Sequence, residues 1–371
     1  MCVLGGLVAI SVGMYVIQHP DQSLAESGAT WARNHGLGPI VNQLEMWKYR
    51  KPPSTVAAEE LALDGDETEN IVSATSSTLV ASPSTTPTPT TLPPEPLSTP
   101  VTPTLKNEGQ WKPLVTINGQ TVMWKTSVRP LAKFASVVAT AALIDPTQVE
   151  AGLFNGPDVP GKGDWKNWSR VTPAAAPSLI AAFNGGFRLQ HIKGGYFTEG
   201  KVVRKLKTDE ATLGIKKDGT LAVGVYGRDI TNDGTWKTLR QNLPPVVMDG
   251  KISIKNFPGT YWGNNYHNVL YGYRTAICTR ADGRLMYVMA GDVNITLLGE
   301  TLVSMGCITG MQLDINGHWC HFATFTNFGT SDRTGVLLDK RMKFTQRYLK
   351  PYDKDFIALF DPATLPANVL G

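Results

Sequence analysis

Two carboxylates close apolar, strand-like runs. Asp292 ends Ala290-Gly291-Asp292, and Asp314 ends Met311-Gln312-Leu313-Asp314, just before Ile315-Asn316-Gly317. Cleavage of a glycosidic bond commonly uses two carboxylates flanking it, whereas a lone Asp in such a place simply caps the following turn. Arg274 enters an apolar strand in Tyr273-Arg274-Thr275-Ala276-Ile277. A guanidinium there needs an anion. The candidates are an internal carboxylate, Asp292 or Asp314, or a phosphate or carboxylate ligand gripped by two parallel N–H bonds. The run Ala182-Phe183-Asn184-Gly185-Gly186-Phe187 ends a buried-type strand with paired glycines, which permit positive φ and close backbone approach. It reads either as a structural turn or as a loop whose Asn184 amide and Gly185/Gly186 N–H groups face a ligand. Arg188 and His191 follow at once, and His318 follows Gly317, so a guanidinium and imidazoles join the candidate set.

The elements that would position these groups are mostly strands. Asn118-Gly119, Asp218-Gly219, Asp249-Gly250 and Asp282-Gly283 each adjoin β-rich runs, which is a hairpin signal. The runs are Leu114–Ile117, Thr212–Ile215, Leu221–Tyr226, Val246–Met248, Thr275–Cys278 and Leu285–Met289. Helices are expected at Ala174–Ala182 and Leu297–Met305. The pattern predicts an α+β fold: a single domain over 107–371 with a large mixed, mostly antiparallel sheet flanked by helices, and no internal repeat.

Ahead of it lies a different kind of chain. Val3–Ile17 carries no charge and spans 15 residues, short of the roughly 20 needed to cross a bilayer. Residues 1–20 are expected to be a membrane anchor or a signal segment cleaved near Ala25–Ser27. Residues 21–51 read as juxtamembrane amphipathic helices: Leu37, Ile40, Val41 and Leu44 recur on one face, Gly36, Gly38 and Pro39 interrupt, and Trp31, Trp47 and Tyr49 suit a membrane–water interface. An acidic patch from Glu59 to Glu69 opens a linker over 52–106. From Ala74 to Thr104 it is nearly all Ser, Thr, Pro and small apolar residues, a composition that stays disordered or extended. The expected location is a cell membrane, with the domain held outside the cytoplasm.

The net charge of +4 is too small and scattered for nucleic acid. The cluster Lys201, Arg204, Lys205 and Lys207 reads as a solvated hairpin or as weak attraction for an anionic substrate. Of the four cysteines, Cys2 lies in the apolar segment; Cys278, Cys307 and Cys320 allow at most one internal disulfide, Cys307–Cys320 closing a short loop, or else buried thiols. No metal-ligand spacing is present. Asn167-Trp168-Ser169 and Asn294-Ile295-Thr296 are glycosylation sequons.

The ordered set Phe183-Asn-Gly-Gly-Phe187, Gly194-Gly195-Tyr-Phe-Thr-Glu-Gly-Lys-Val-Val203, Leu213-Gly-Ile-Lys-Lys-Asp-Gly-Thr220, Arg274-Thr-Ala276, Asp282-Gly-Arg-Leu285 and Leu313-Asp314 resembles the phosphodiester glycosidase family over roughly Ala135 to Phe360. The apolar segment with its Trp-rich collar is similar to that of actinobacterial members. The family's Leu-Asp-Gly-Gly-Gly-Ser motif falls on Leu313 to His318, with Ile315 and Asn316 in place of glycines and His318 in place of the hydroxyl. The resemblance implies hydrolysis of the sugar–oxygen bond of a sugar-1-phosphodiester, in cell-envelope glycans or glycolipids. It implies Asp314, Asp292 and Arg274 as catalytic residues. Asn184, Gly185, Gly186, Phe187, Arg188, His191, Thr275, Asn316, Gly317 and His318 would line the substrate site. No cofactor is required by that reaction; a divalent cation on Asp314 and backbone carbonyls is compatible with it. A non-catalytic carbohydrate- or wall-polymer-binding module and a metal-assisted phosphodiesterase are the competing readings.

Overall fold

The computed structural model describes residues 2–18, 24–63, 93–254, 262 and 270–371. Three helices come first: α1 (Cys2–Gln18), α2 (Leu24–Asn34) and α3 (Gly38–Lys48). The strands follow as β1 (Lys112–Ile117), β2 (Gln120–Val128), β3 (Ala139–Ile144), β4 (Glu150–Phe154), β5 (Leu179–Asn184), β6 (Tyr196–Thr198), β7 (Lys201–Arg204), β8 (Ala211–Lys216) and β9 (Leu221–Val225). Then come β10 (Trp236–Gln241), β11 (Val247–Met248), β12 (Lys251–Ile252), β13 (Gly272–Arg280), β14 (Leu285–Val293), α4 (Ile295–Ser304), β15 (Cys307–Ile315), β16 (Phe322–Phe325), β17 (Gly335–Leu337) and β18 (Phe356–Phe360).

The strands divide among three antiparallel sheets: an eight-stranded sheet in the order β1-β2-β3-β14-β13-β15-β11-β12, and two five-stranded sheets, β7-β6-β10-β8-β9 and β17-β16-β5-β18-β4. Turn chemistry accounts for the hairpins. Asn118-Gly119 (φ 50° and 78°) and Asp249-Gly250 (φ 52° and 71°) take positive φ at both central positions, as two-residue hairpin loops require. Met289, Tyr287, Met311 and Leu313 of the large sheet share one core with Phe183 and Ile357 of the β5 sheet and Leu213 of the β8 sheet. On the other face of the large sheet, Ala276, Met286 and Val288 pack under Leu298 and Leu302 of α4. Asn294 caps α4, its side chain accepting from Leu297 N at 2.9 Å.

Three expectations change. The helix expected at Ala174–Ala182 is one 3₁₀ turn, Ala176–Ser178, leading into β5. Pro177 cannot donate within a helix. The apolar run beyond it is a strand covered on both faces, Phe183 in one core and Ala182 in another. The disulfide joins Cys278 to Cys307 on adjacent strands β13 and β15, leaving Cys320 a buried thiol. The linker expected over 52–106 is docked at both its ends, with 64–92 outside the described residues. Ala58 N donates to Ala135 O at 3.0 Å, Lys340 N to Ala62 O at 2.9 Å and Leu97 N to Gly109 O at 2.9 Å. Leu97 and Val101 are buried, and Arg129 binds both the Pro103 carbonyl (2.6 Å) and the buried Glu108 carboxylate (2.6 Å).

The predicted break in the N-terminal helices lies at Gly36, whose φ of 83° ends α2's turn, while Pro39 sits in the first turn of α3. Trp31 buries against α1 and donates to Ser11 Oγ at 2.9 Å. Tyr49 O, just past α3, accepts from Tyr271 N at 2.8 Å, tying these helices to the strand that carries Arg274. Among the described residues no helix is long and apolar enough to cross a membrane.

Candidate active site

All three sheets end at one place. β5 ends on Asn184, β10 runs into Gln241-Asn242, β15 carries Asp314, and Lys354-Asp355 lead into β18. Asn184 knits them together. Its Nδ2 donates to Thr275 Oγ1 (3.0 Å) and Gly185 O (2.9 Å), while its Oδ1 accepts from Tyr287 O–H (2.9 Å) and His321 N (3.0 Å). Thr275 Oγ1 donates onward to Asp314 O at 2.8 Å. Asn184 is therefore a buried junction whose amide is spent on the protein itself.

The paired glycines exist for close approach. A Cβ on Gly185 would lie 2.7 Å from Asp355 Cγ, and one on Gly186 would lie 2.7 Å from Asn242 Cγ. Asp355 and Asn242 occupy that space because they hold Arg240. Its Nε donates to Asp355 Oδ2 at 2.8 Å, and its other arms donate to Gln241 O (2.6 Å) and Phe187 O (2.7 Å). Asn242 closes the ring, accepting from Phe187 N (2.9 Å) and donating to Gln312 O (2.8 Å).

Beside this network Lys354 Nζ donates to Asp314 Oδ2, and Ile315 N donates to Asp314 Oδ1 at 3.2 Å. Asp314 is 4% exposed and Lys354 3%. Burial pushes the Lys354 ammonium down to about 7; Asp355 opposes that shift, and Arg188 and Arg240 add to it. Lys354 lies 4.7 Å from the Trp319 ring centre and Arg188 5.8 Å from it. Arg188 also pairs with Asp158 at 2.6 Å, half in solvent. A carboxylate beside a titratable lysine, under an aromatic ring that reaches solvent, can attack a carbon or take a proton from water.

The expected residues separate into two groups. Asn184, Gly185, Gly186, Phe187, Arg188, Thr275 and Asp314 meet at this junction. His318 stands next to it, its ring edge-on to Trp319 at 4.4 Å. His191 lies on the adjoining turn, exposed; desolvation of part of its ring, then Arg188, Lys354 and Arg33, hold its imidazolium below the usual range. Asn316 and Gly317 form the turn after β15: Asn316 (φ 68°) accepts from His318 N at 2.9 Å, and Gly317 passes Tyr273. Arg274 faces away from Asp314. It is 1% exposed and donates to Val293 O (3.0 Å), Gln312 Oε1 (3.0 Å) and Leu270 O (3.3 Å), so backbone carbonyls and an amide stand where an acid was expected. Asp292 is exposed at the end of β14, where its charge acts on Tyr273 and Arg341. β13 runs between the strands of the two acids, which puts their backbones about 10 Å apart.

Arg240, Asn242, Lys354 and Asp355 were not singled out in the sequence. Their signals were polar runs abutting apolar strands, Arg240-Gln241-Asn242 after Leu239 and Lys354-Asp355 before Phe356–Phe360. The cluster Lys201–Lys207 begins in the exposed strand β7. Among the described residues no three His, Cys, Asp or Glu side chains form a metal-binding group.

Residues 177–314 match the family model of the phosphodiester glycosidases. No curated protein is significantly similar in sequence. Among solved structures the chain is similar to the catalytic domain of zebrafish N-acetylglucosamine-1-phosphodiester alpha-N-acetylglucosaminidase, auto-inhibited by its pro-peptide. The identity is 17%, covering 64% of this chain and 83% of that one, with a TM-score of 0.44. It is also similar to a hypothetical protein from Synechocystis, at 11% identity over 67% of this chain and 64% of that one, TM-score 0.42.

Proposed function

We propose that this chain, which carries the phosphodiester glycosidase domain over 177–314, hydrolyses the sugar–oxygen bond of a sugar-1-phosphodiester of the cell envelope. Water adds to the sugar's anomeric carbon, and the phosphate leaves with the bridging oxygen as a phosphomonoester. That leaving group departs as an anion, so little general-acid help is needed. The demand falls on a carboxylate that attacks the anomeric carbon or activates water, and Asp314 fills that role. Lys354 holds Asp314 ionised. Asn184 and Thr275 act as positioning residues through the Asp314 carbonyl. The reaction requires no cofactor. The observation that carries this reading is the buried Asp314–Lys354 pair at the meeting of three sheets.

The N-terminal helices support a membrane-side location. Ile10, Met14 and Ile17 of α1, Leu24 of α2, and Ile40, Leu44 and Trp47 of α3 are exposed apolar residues. These exposed apolar side chains support attachment of the N-terminal segment to a bilayer.

The second reading, a carbohydrate-binding module without turnover, is favoured by one observation: Asp314 is already held by Lys354. Synthetic sugar-1-phosphodiesters offered to the full chain separate the two. Release of free sugar that Asp314→Asn lowers by about a thousandfold or more supports hydrolysis. Saturable glycan binding with no release from any diester overturns it in favour of the binding module.

A further inference from the structure

Arg347 is a buried cation without a carboxylate. It is 6% exposed, in the loop before β18. One arm, Nη1, donates to His318 O at 2.6 Å, and the guanidinium stacks 4.8 Å from the Phe344 ring centre and 5.2 Å from that of Tyr352. Its Nη2 is buried and makes no hydrogen bond. Asp314 is held by Lys354 and Asp355 by Arg240. Among the described residues no carboxylate pairs with Arg347. Burying an unpaired charge is strongly unfavourable unless an anion joins it, and a guanidinium is the side chain best shaped to grip a phosphate oxygen pair.

Its surroundings suit a sugar phosphate. The Tyr352 ring under Arg347 lies 6.4 Å from that of Trp319, and Trp319 in turn carries Lys354 and Arg188 over its face. Trp319 is half-buried, so this two-ring platform runs from Arg347 towards solvent, past the lysine that holds Asp314. Tyr348 O–H and His321 Nδ1 are also buried without partners in this cluster, where the two rings meet edge-on at 4.9 Å. Arg274 has its arms on backbone carbonyls and Gln312.

We propose that Arg347 is the phosphate-binding residue of the site, its guanidinium drawing the anionic diester while the sugar rests on Trp319 beside Asp314. This rests on the glycosidase reading and assigns the group that selects a phosphodiester over a neutral glycoside.

The test measures binding of sugar-1-(methyl phosphate) diesters and the matched neutral methyl glycosides to the full chain by calorimetry, together with sugar release. The wild type is expected to bind a diester at least tenfold more tightly than its glycoside. Arg347→Gln should lose about 10- to 100-fold for the diester and nothing for the glycoside, raising KM more than it lowers kcat. Arg347→Lys, which keeps charge but not the fork, should lose about fivefold for the diester alone, and it stands in if the glutamine variant does not fold. Unchanged diester affinity in a folded Arg347 variant overturns the assignment; continued sugar release there leaves the glycosidase reading intact. A wild type that hydrolyses diesters but prefers them to glycosides by less than threefold overturns it as well. A wild type that neither binds nor cleaves diesters overturns both.

Discussion

At Asp314 both carboxylate oxygens are engaged, one by Lys354 and one by the Ile315 N–H, so under the proposed reaction the acid's charge depends on its lysine. The ammonium is needed, and it is lost as pH rises through about 7. Sugar release should therefore fall above about pH 7, and Lys354→Arg should remove that limb; a rate profile from pH 5 to 9 checks it, the apparent value belonging to the pair. A second buried group, just before β8, also titrates. Glu210 is pushed up to about 7 by burial, against the pull of Lys207 and Lys193, and its Oε2 has no hydrogen-bond partner. Its folded value exceeds its unfolded one, so the stability it confers is complete below about pH 4.5 and is lost as pH rises through 7. Glu210→Gln should flatten the melting temperature between pH 5 and 7.5 and raise it at pH 8 by a few degrees, on the order of 2 kcal/mol. At this scale the sequence exposed Asp314 and Asn184, because each ends an apolar run. It hid Lys354 and Arg347, which reach the site from a loop that has no periodicity of its own.

Among the elements, the Asn184-Gly185-Gly186-Phe187 turn is the tightest joint. Ala at Gly185 would meet the Asp355 carboxylate, and Ala at Gly186 would meet Asn242 and Arg240. Each should cost about 1–3 kcal/mol in thermal unfolding and lower sugar release, because the Arg240–Asp355 pair must shift to admit the methyl. By contrast, Gly119→Ala on the distal β1–β2 hairpin meets no neighbour and loses only what its positive φ demands. The hairpins were legible for that same reason: Asn-Gly and Asp-Gly name the turn and hence the antiparallel pairing. β5 was not. An apolar run buried on both faces shows neither a helical nor an alternating period, and Pro177 was the sole mark against a helix. The division into three sheets was likewise hidden, since pairing between distant strands such as β5 and β18 leaves no local pattern.

For the whole molecule, the composition that marked residues 52–106 as a spacer was correct about polarity but blind to Leu97, Val101, Ala62 and Leu63, which are buried on the domain. A chain starting at 107 should thus unfold about 10 °C below one starting at 93, a loss of about 3–6 kcal/mol from two aliphatic side chains and the Arg129–Pro103 contact; comparing the two melts tests it. The proposed membrane attachment would show as flotation of the full chain with phospholipid vesicles, lost when residues 1–51 are removed. One more feature acts on the state that no contact describes. The Cys278–Cys307 bond closes a loop 29 residues apart in sequence around β14 and α4, and it ties together the two strands that carry Thr275 and Asp314. Its effect is chiefly on the disordered chain, which it deprives of configurations equivalent to ~3–4 kcal/mol. Reduction should leave the folded contacts in place yet bring the unfolded ensemble that much closer, so the protein would last longest in an oxidising compartment.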